Sequence, residues 1–582
     1  MASSQAKDKP RIVIVGGVAG GASAAARCRR LCESASITIL ERGPYISFAN
    51  CGLPYYVGNV IKTKEDLLVA SIGLFRNRLN VDVRLHQEVT KIDRENKTVV
   101  VTDLETKRSY QEKYDYLVLA PGAEPIRPKL EGINLEGVYS IRDIPDASHI
   151  KEWISKNDAK SVVVVGGGFI GLEMAENLSL LNLKVHVVEA LPQLMPAMDP
   201  EMLPPLYRKM TEHGVDIIFH DGLKGIKKEE SNTGKSNLRV ITASGKSVVA
   251  DMVILGIGVR PDTHLAKECG LQIGSLGGIA VDEHMKTSDD SIYAVGDAVE
   301  VEDFLFPGEK TLLALAGPAN RQARIAVESI LGRKDHTFRG VQGTFVCGAF
   351  GVAVAATGAS EKKLQKRGWK QGREYETAVI HAGSHAGYYP NSKTVHLKLI
   401  FELKNGKILG AQAVGEEGID KRIDCIAMAI QAGMTVMDLE EAELCYAPQF
   451  GSAKDPVNLA GMVASNILRG DVQQAHWLEH EEWLNDAVTN KEGEEKHILI
   501  DVRNPEEVEA EPVPHAQNIP LRDIRSQLEK VPKEKEIAVF CRSGQRSYLA
   551  SRILSQLGYR VKNVSGGFLS YRDAKASSEI SR

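Results

Sequence analysis

The chain has 582 residues, of which 43% are hydrophobic and 25% are charged. This is the composition of a folded globular protein, and the length predicts three or four domains. The net charge of −4 and the isoelectric point near 6.5 exclude a strongly basic surface, so we expect neither nucleic acid nor an anionic membrane as a partner.

We expect no targeting signal at the N-terminus; the short leader with Lys and Ser is compatible with a weak organelle signal but lacks an amphipathic, Arg-rich stretch. Residues 1–11 lack an apolar core of signal-peptide length, and no run in the sequence approaches the roughly 18 apolar residues of a membrane span. The eight cysteines are scattered and form no disulfide framework, which favours a reducing compartment. We therefore expect a cytoplasmic protein with no membrane partner.

A nucleotide-binding pattern opens the chain. The β-branched run Arg11–Val15 predicts a buried parallel strand, and Gly16–Gly21 follows it ahead of an alanine-rich helix. The next strand ends at Glu41, 20 residues after Gly21. Glycines let a backbone approach a pyrophosphate, a helix N-terminus favours its charge, and the acid takes ribose hydroxyls. The prediction is a dinucleotide site, although Val18 replaces the middle glycine; an ordinary glycine turn is the alternative.

A second copy of the pattern is stricter. The strand Ser161–Val165 precedes it, a helix is predicted over Leu172–Leu180, and Glu189 closes the following strand. An acid at this strand end favours a free 2′-hydroxyl and hence NADH, because a 2′-phosphate would require an arginine; NADPH stays possible. The strict motif is satisfied by Gly166, Gly168 and Gly171.

Two further strand ends complete the nucleotide pattern. Tyr116–Ala123 predicts a strand and a turn, and Ser291–Ala298 predicts a strand that ends in Gly-Asp. Asp297 at that end is suited to accept a hydrogen bond from a ribityl hydroxyl, although Gly-Asp is also a common turn pair. After two nucleotide motifs, we interpret it as the second half of a flavin site.

The segment Ser47–Tyr55 holds a cysteine, Cys51, among small and polar residues, with no second cysteine nearby. Cys51 is either a redox nucleophile beside a flavin or a buried structural thiol, since free cysteine is among the most buried residue types. The flanking nucleotide motifs favour the nucleophile, because they place the thiol next to an electron source.

The composition shifts after Gly470, and residues 471–494 suggest a linker and a new domain. In that domain the strand Ile537–Phe540 runs into the loop Cys541–Arg546, and a helix is predicted over Ser547–Leu557. A cysteine between a strand and a helix lies among backbone amides at the helix N-terminus, where an anionic sulfur is stabilised.

The two motifs, the Leu-Ala-Pro-Gly-Ala turn and the Tyr-Ala-Val-Gly-Asp end resemble the flavoprotein disulfide reductases with two dinucleotide domains. Glutathione-reductase-like members carry two cysteines separated by four residues, whereas Tyr56 stands at that position here. Ser47–Cys51 therefore resembles the single-cysteine branch of coenzyme A disulfide reductases, persulfide reductases and NADH oxidases or peroxidases. The opening Gly16–Arg30 is similar to the coenzyme A disulfide reductase pattern.

The six-residue loop that begins at Cys541 resembles that of a rhodanese, because tyrosine phosphatases place the arginine one residue later, where Ser547 stands. Asp501–Arg503, Asn518–Pro520 and Gly566–Phe568 add to this resemblance. An inactive rhodanese-like binding module is the alternative, and the presence of the cysteine argues against it.

The resemblance implies an α/β protein with two Rossmann-like dinucleotide-binding domains, an α+β dimerisation domain that makes a homodimer, and a C-terminal α/β rhodanese domain. The predicted boundaries are residues 1–145 with 271–337 for FAD binding, 146–270 for NAD(P)H binding, 338–470 for dimerisation, 471–482 for the linker and 483–582 for the rhodanese domain.

The resemblance also assigns site residues and no metal. FAD would contact Gly16, Gly17, Ala19, Gly20, Gly21, Glu41, Arg42, Ala120, Pro121, Gly122 and Asp297. NAD(P)H would contact Gly166, Gly168, Phe169, Ile170, Gly171 and Glu189. Coenzyme A, as substrate or tightly bound ligand, would contact Ser23, Arg27, Arg30, Ser47, Asn50, Arg78, Asn320 and Lys454. The rhodanese loop would comprise Cys541, Arg542, Ser543, Gly544, Gln545 and Arg546.

Arginines suit the phosphates of coenzyme A, although Arg27 and Arg30 would also fit a solvated helix face. Tyr388 and Tyr446 would reach the flavin of the partner subunit and donate a proton to a leaving thiolate. Tyr389 is a less favoured choice, and packed aromatics at a dimer interface are the alternative.

The expected enzyme is an FAD-dependent NAD(P)H oxidoreductase. It would reduce coenzyme A persulfide or polysulfide, or coenzyme A disulfide, through a mixed disulfide at Cys51, while Cys541 handles sulfane sulfur. The chief alternative is an NADH oxidase or peroxidase that cycles through a cysteine sulfenic acid. The arginines and the rhodanese domain argue against it. A redox sensor without turnover, with the rhodanese domain only for docking, is a third possibility.

Overall fold

The computed structural model describes residues 9–230, 236–477 and 497–581. The chain divides into two compact units, the first formed by Met1–Ala190 with Asp221–Gln342 and the second by Leu191–His220 with Gly343–Arg582. The predicted boundary between linker and rhodanese domain, at residues 482 and 483, lies outside the described residues. Among those residues, no helix combines the length and the apolar character that crossing a membrane would need.

Two parallel sheets organise the first unit. The first sheet has the initial strand of the chain at its centre, because a run of β-branched residues buried on both faces suits a central parallel position. Its strands lie in the order Asp82–Arg84, Ser36–Leu40, Arg11–Val15, Tyr116–Leu119 and Ile292–Ala294. The second sheet includes, in order, Lys184–Val188, Ser161–Val165, Met252–Leu255 and Val138–Tyr139.

Each initial strand leads into a helix through a glycine loop. The helices are Ala19–Leu31 and Phe169–Leu180. The second begins three residues before the predicted Leu172, because the first helical turn includes part of the glycine motif itself. The other helices of the first unit are Leu53–Val57, Ile144–Lys156, His264–Glu268 and Ala316–Ile330, with a π-helical turn at Leu74–Arg78.

Smaller sheets and ribbons complete the first unit. The antiparallel strands are Gln87–Asp93, Thr98–Asp103 and Ser109–Lys113, then Leu223–Glu230, Ser236–Thr242 and Ser247–Ala250, and the pair Ala123–Pro125 with Val259–Pro261. A mixed sheet holds Ile279–Ala280, Val299–Glu302 and Lys310–Thr311.

The second unit contains an antiparallel sheet with helices beside it. The strands lie in the order Phe345–Ala349, Val352–Gly358, Ile408–Gly415, Thr394–Glu402 and Tyr375–Gly383. The helices are Pro204–Glu212, Glu361–Lys366, Ile419–Ala432, Val436–Glu441 and Pro456–Leu468. A short strand, Asp216–Ile218, also belongs to this unit.

The C-terminal part of the second unit is built on a parallel sheet. Its strands lie in the order Gln473–Ala475, Val561–Val564, Glu536–Phe540, His497–Asp501 and Gln517–Asn518. The helices are Pro505–Ala510, Gln545–Gln556 and Gly567–Ser581. These sheets and helices match the predicted α/β class, and in the second unit the antiparallel α+β part precedes the C-terminal parallel sheet along the chain.

Candidate active site

Each glycine loop of the first unit makes the same hydrogen bond to a glutamate that follows the next strand. The backbone N–H of Gly17 donates to Oε2 of Glu41 at 2.7 Å, and the N–H of Gly167 donates to Oε2 of Glu189 at 2.7 Å. Both carboxylates are buried. The acid at the end of the second strand therefore fixes the loop beside it, a structural role in addition to the predicted contact with ribose.

Both loops require glycine for close packing, and the second loop also leaves open space at Gly168. A Cβ atom on Gly21 or Gly171 would overlap the carbonyl oxygen of Gly16 or Gly166, so close packing requires glycine at both positions. A Cβ atom on Gly168, in contrast, would meet no heavy atom within 4 Å. The second loop therefore presents an open backbone face, which fits a dinucleotide. Ala19, Gly20 and Gly21 lie in the first turn of one helix, and Phe169, Ile170 and Gly171 lie in that of the other.

Asp297 lies in a short 3₁₀ turn after the Ile292–Ala294 strand. Its half-buried carboxylate makes no hydrogen bond among the described residues, and burial raises its pKa while Arg142 opposes the rise. A carboxylate held in this way is available to a hydroxyl of a bound ligand. The residues present therefore fit FAD at the first loop.

The turn Ala120, Pro121 and Gly122 follows the Tyr116–Leu119 strand directly. The N–H of Ala120 donates to the carbonyl of Val15, and the carbonyl of Gly122 accepts from the N–H of Asp262. Asp262 also pairs with Arg42 at 3.7 Å. The structure thus brings Arg42 to the end of the sheet where this turn lies.

Cys51 lies in a 3₁₀ turn, Asn50–Gly52, that leads into the Leu53–Val57 helix. The segment is tied to the first glycine loop, because the N–H of Ser47 donates to the carbonyl of Gly17 at 2.8 Å. Ser47 itself has a left-handed backbone, with a φ of 48°. This turn presents Cys51 as an exposed, free thiol, which the alternative of a buried structural cysteine does not fit.

Two carboxylates, those of Glu173 and Asp297, influence the thiol of Cys51. Although the residue is exposed as a whole, enough protein surrounds its sulfur for desolvation to raise the pKa of the thiol, and the charges of Glu173 and Asp297 raise it further. Burial raises the pKa of Glu173 to about 7, and a hydrogen bond from Tyr55 at 3.5 Å opposes that rise. Sequence reasoning missed Glu173, whose signal is its place two residues after Gly171.

Of the eight predicted coenzyme A residues, four lie on two helices, Arg30 among them. Ser23 and Arg27 lie on Ala19–Leu31, where Ser23 hydrogen-bonds to Asn320 and Arg27 forms an ion pair with Glu328. The Nε of Arg27 is buried without a hydrogen-bond partner among the described residues. One donor of this guanidinium is therefore left unpaired inside the protein.

Glu328 forms ion pairs with three basic side chains. Its role was not predicted from the sequence. Besides Arg27, it lies 3.2 Å from Nε of Arg324 and 3.0 Å from Nδ1 of His336. Burial opposes ionisation, but bonds from His336 and Arg27 lower the pKa of Glu328 overall. The signal in the sequence was its helical spacing, four residues after Arg324.

The remaining residues predicted to bind coenzyme A are more dispersed. Asn50 is next to Cys51, and Arg30 and Arg78 are exposed. The neighbouring Arg29 is instead buried and donates to backbone carbonyls, so it serves the fold. Lys454 is exposed in the second unit, just before the Pro456–Leu468 helix.

Tyr388 and Tyr446 form a pair at the surface of the second unit. Their hydroxyl oxygens lie 2.6 Å apart, and both side chains are exposed. This hydrogen bond, followed by desolvation, raises the pKa of Tyr446. Tyr389 packs instead against the ring of His385, with ring centroids 5.5 Å apart. The structure brings together the two tyrosines that were predicted to act jointly.

The C-terminal loop places its cysteine at the start of a helix. Cys541 is buried, and its Sγ accepts hydrogen bonds from the N–H of Gly544 at 3.2 Å and from Oγ of Ser547 at 3.6 Å. The helix Gln545–Gln556 begins immediately after Gly544. Such a cradle of donors stabilises an anionic sulfur.

The two arginines of this loop are neutralised by glutamates that were not predicted. Arg546 donates to both carboxylate oxygens of Glu507, at 2.6 and 2.8 Å. This bond lowers the pKa of Glu507 to about 2. Arg542 is half-exposed and lies 3.7 Å from Glu511. Ser543 is half-buried and Gln545 is exposed at the rim.

Comparison with known families identifies the class of protein. Residues 10–323 match the pyridine nucleotide-disulphide oxidoreductase family, residues 346–455 match the dimerisation domain of that family, and residues 482–574 match the rhodanese-like domain. The chain therefore belongs to the pyridine nucleotide-disulphide oxidoreductases and carries a rhodanese domain. The family implies FAD and NAD(P)H as cofactors, and its dimerisation domain suggests a homodimer.

Individual relatives narrow the resemblance. A coenzyme A disulfide reductase of Staphylococcus haemolyticus is 30% identical over 78% of this chain and 100% of its own length. An NADH oxidase of Methanocaldococcus jannaschii is 34% identical over 77% of this chain and 97% of its own length. Each of these matches leaves about a fifth of this chain uncovered.

Solved structures match nearly the whole chain. A crystal structure of reduced CoADR-RHD from Bacillus anthracis has a TM-score of 0.92 and 44% identity, covering 98% of this chain and 99% of its own. A NAD-dependent persulfide reductase from A. fulgidus has a TM-score of 0.86 and 36% identity, covering 96% of this chain and 100% of its own. The predicted resemblance to coenzyme A disulfide and persulfide reductases fused to a rhodanese domain is confirmed.

Proposed function

We propose that this flavoprotein uses NADH to reduce coenzyme A persulfide, and also coenzyme A disulfide, through Cys51 as its redox cysteine. The observation that carries the proposal is the setting of Cys51. It is an exposed thiol bonded through its own segment to the first glycine loop, with Glu173 of the second dinucleotide-binding domain beside it. Ser23 and Arg27 lie on the helix that begins in that same loop.

When bound, FAD would take a hydride from NADH and pass the electron pair on to sulfur. The chain itself supplies the nucleophile. The thiolate of Cys51 attacks the coenzyme A sulfur of the persulfide, the S–S bond breaks, and hydrosulfide leaves. The resulting mixed disulfide between Cys51 and coenzyme A then accepts two electrons and one proton, which releases coenzyme A thiol and restores the thiolate.

Protons for the leaving thiolate would come from the tyrosine pair. The phenol of Tyr446 is protonated at neutral pH, as is usual for tyrosine, and its hydrogen bond with Tyr388 raises its pKa further, so it remains a donor. The guanidinium of Arg27, whose buried Nε has no hydrogen-bond partner among the described residues, and the side chains of Ser23 and Asn320 would hold the substrate phosphates and orient the disulfide. In this proposal the tyrosines act at the flavin of the partner subunit.

The rhodanese domain would supply the persulfide. A persulfide on Cys541 transfers its outer sulfur to a coenzyme A thiol, which leaves a thiol on Cys541 and a coenzyme A persulfide for reduction. The hydrogen bonds from Gly544 and Ser547 stabilise the thiolate that leaves in this step. A sulfur carrier on the same chain keeps the two activities at high effective concentration.

Replacing either cysteine separates these roles. Cys51→Ser should abolish NADH-dependent sulfide release from coenzyme A persulfide, whereas Cys541→Ser should abolish only the release that depends on an added sulfur donor. Cys269→Ser, at a half-buried thiol of the first unit, is the matched control and should retain both. Full sulfide release by Cys51→Ser would refute the proposal.

A second candidate, an NADH oxidase, is favoured by the relative of that name. In that case oxygen or peroxide would sustain NADH consumption without any thiol substrate, and Cys51 would cycle through a sulfenic acid. Steady turnover with peroxide at a rate above that with coenzyme A persulfide would establish this candidate. No role in such a reaction follows for Arg27 or for the rhodanese domain.

A further inference from the structure

The last helix of the rhodanese domain, Gly567–Ser581, holds the catalytic loop through its first turn. The N–H of Phe568 donates to the carbonyl of Cys541 at 2.7 Å, and the N–H of Leu569 donates to the carbonyl of Arg542 at 3.0 Å. The start of this helix therefore fixes the backbone of the two residues that open the loop. The direction of the Cys541 side chain depends on that backbone.

The same helical turn is also attached to the antiparallel sheet of the dimerisation domain. Ser570 Oγ lies 2.9 Å from Nε2 of His381, on the Tyr375–Gly383 strand. The Nδ1 of His381 lies 2.9 Å from Nδ1 of His396, its direct partner on the neighbouring strand. A pair of histidines on the sheet thus contacts the helix that orients Cys541.

The surroundings of the histidine pair determine which nitrogen carries the shared proton. Asp573 is buried, and its Oδ2 lies 3.8 Å from Nδ1 of His396, so the proton between the two Nδ1 atoms favours His396. Nδ1 of His381 then accepts, and its Nε2–H donates to Ser570. This assignment makes His381 a directed donor to the helix.

Burial, helped by nearby arginines and opposed by Asp573, keeps both rings neutral. Arg208 pairs with Asp573 at 2.8 Å, and Arg572 lies 3.5 Å from the same carboxylate. Burial, followed by His396 and Arg572, lowers the pKa of His381 well below its ordinary value. Burial also lowers the pKa of His396 to about 4, with Asp573 opposing the fall. At neutral pH, Nδ1 of His396 therefore remains the donor to Nδ1 of His381, and Nε2 of His381 remains the donor to Ser570.

We propose that His381 is a positioning residue for sulfur transfer at Cys541, acting from the dimerisation domain through Ser570 and the start of the last helix. The sulfur-transfer loop is then held in its active arrangement partly by the oxidoreductase portion of the chain. This inference rests on the proposed sulfur transfer at Cys541. It means that the dimerisation domain helps to hold the loop of the rhodanese domain in place.

The test is single-turnover loading of sulfur onto Cys541 in the full-length, FAD-loaded protein. Inorganic thiosulfate is the probe: the Cys541 thiolate attacks its outer sulfur, the S–S bond breaks, sulfite leaves and a persulfide remains. Intact-mass spectrometry follows the persulfide, and a series of thiosulfate concentrations separates the maximal rate from the half-saturating concentration.

His381→Leu should lower the maximal loading rate about 10- to 100-fold and leave the half-saturating concentration nearly unchanged, because small misplacements of a reacting group have effects of that size. His381→Gln keeps a donor for Ser570 and should restore most of the rate. Ser570→Ala should match His381→Leu, and the double variant should be no slower than either, because both remove one interaction. Lys575→Ala, exposed on the same helix, is the control.

Wild-type rates in His381→Leu and Ser570→Ala would overturn the inference, as would fully additive losses in the double variant. If His381→Leu fails to fold, the pair Ser570→Ala and His381→Gln still decides the question, because the first should be slow and the second fast. Failure of the wild-type protein to load sulfur, or equal loading of Cys541→Ser, would instead refute sulfur transfer at Cys541, and the inference would fall with it.

Discussion

Gly168→Ala should separate NADH binding from folding. The added Cβ would meet no atom of the chain within 4 Å, so the fold should tolerate it. That same open space is where the backbone would approach the pyrophosphate of NADH, and a methyl group there would displace the ligand by about 1 Å or more. Misplacement of this size typically costs about 100-fold in rate, so flavin reduction by NADH should slow by roughly that factor.

Stopped-flow reduction of the bound flavin provides the assay for this variant. Reduction by NADH should slow about 100-fold, whereas reduction by dithionite should proceed as in the wild type, since it does not use the loop. Gly171→Ala is the contrasting control, because its Cβ would overlap the carbonyl of Gly166 and should destabilise the domain itself. Wild-type reduction of Gly168→Ala by NADH would refute the assigned role of this loop.

Three other predictions concern the buried charges of the molecule. Asp501→Ala leaves the fully buried Arg503 without its partner at 2.7 Å and should cost about 3–5 kcal/mol in the free energy of unfolding, measured with denaturant; a loss below 1 kcal/mol would contradict the account. Because burial lowers the pKa of His396 to about 4, the unfolded chain binds protons more tightly, and this histidine should cost up to about 3 kcal/mol of stability as the pH falls from 6.5 to 4. His396→Asn should lose less stability over that window in the same denaturation series, and an unchanged pH dependence would refute the linkage. Glu173→Gln should lower the pKa of Cys51, seen as a shift of the pH profile of alkylation by iodoacetamide towards lower pH, and no shift would show that this carboxylate does not reach the thiol.

Local patterns predicted the parts of the site that one short segment can form alone. A buried strand, a glycine loop and a helix follow one another within about thirty residues, so each dinucleotide loop can be predicted from the sequence. The same holds for the loop at Cys541, which runs from a strand into a helix. In these cases the order of residue types determines both the backbone and its chemistry.

Contacts between distant segments had no such signal. Arg27 meets Glu328 across 301 positions, and His381 meets Ser570 across 189. Arg546 finds Glu507 at a separation of 39 positions. These pairs form only when sheets and helices have packed. A single charged residue on a helix has no sequence pattern that identifies a distant partner, because only residues three or four positions apart face each other along a helix.

The most direct test of the central claim is NADH oxidation by the FAD-loaded protein with sulfide measured in parallel. Coenzyme A persulfide, coenzyme A disulfide and hydrogen peroxide are offered separately at equal concentrations. We expect the persulfide to be the preferred substrate and one sulfide to be released for each NADH oxidised. NADH consumption that is fastest with peroxide, or that proceeds with the persulfide without releasing sulfide, would contradict it.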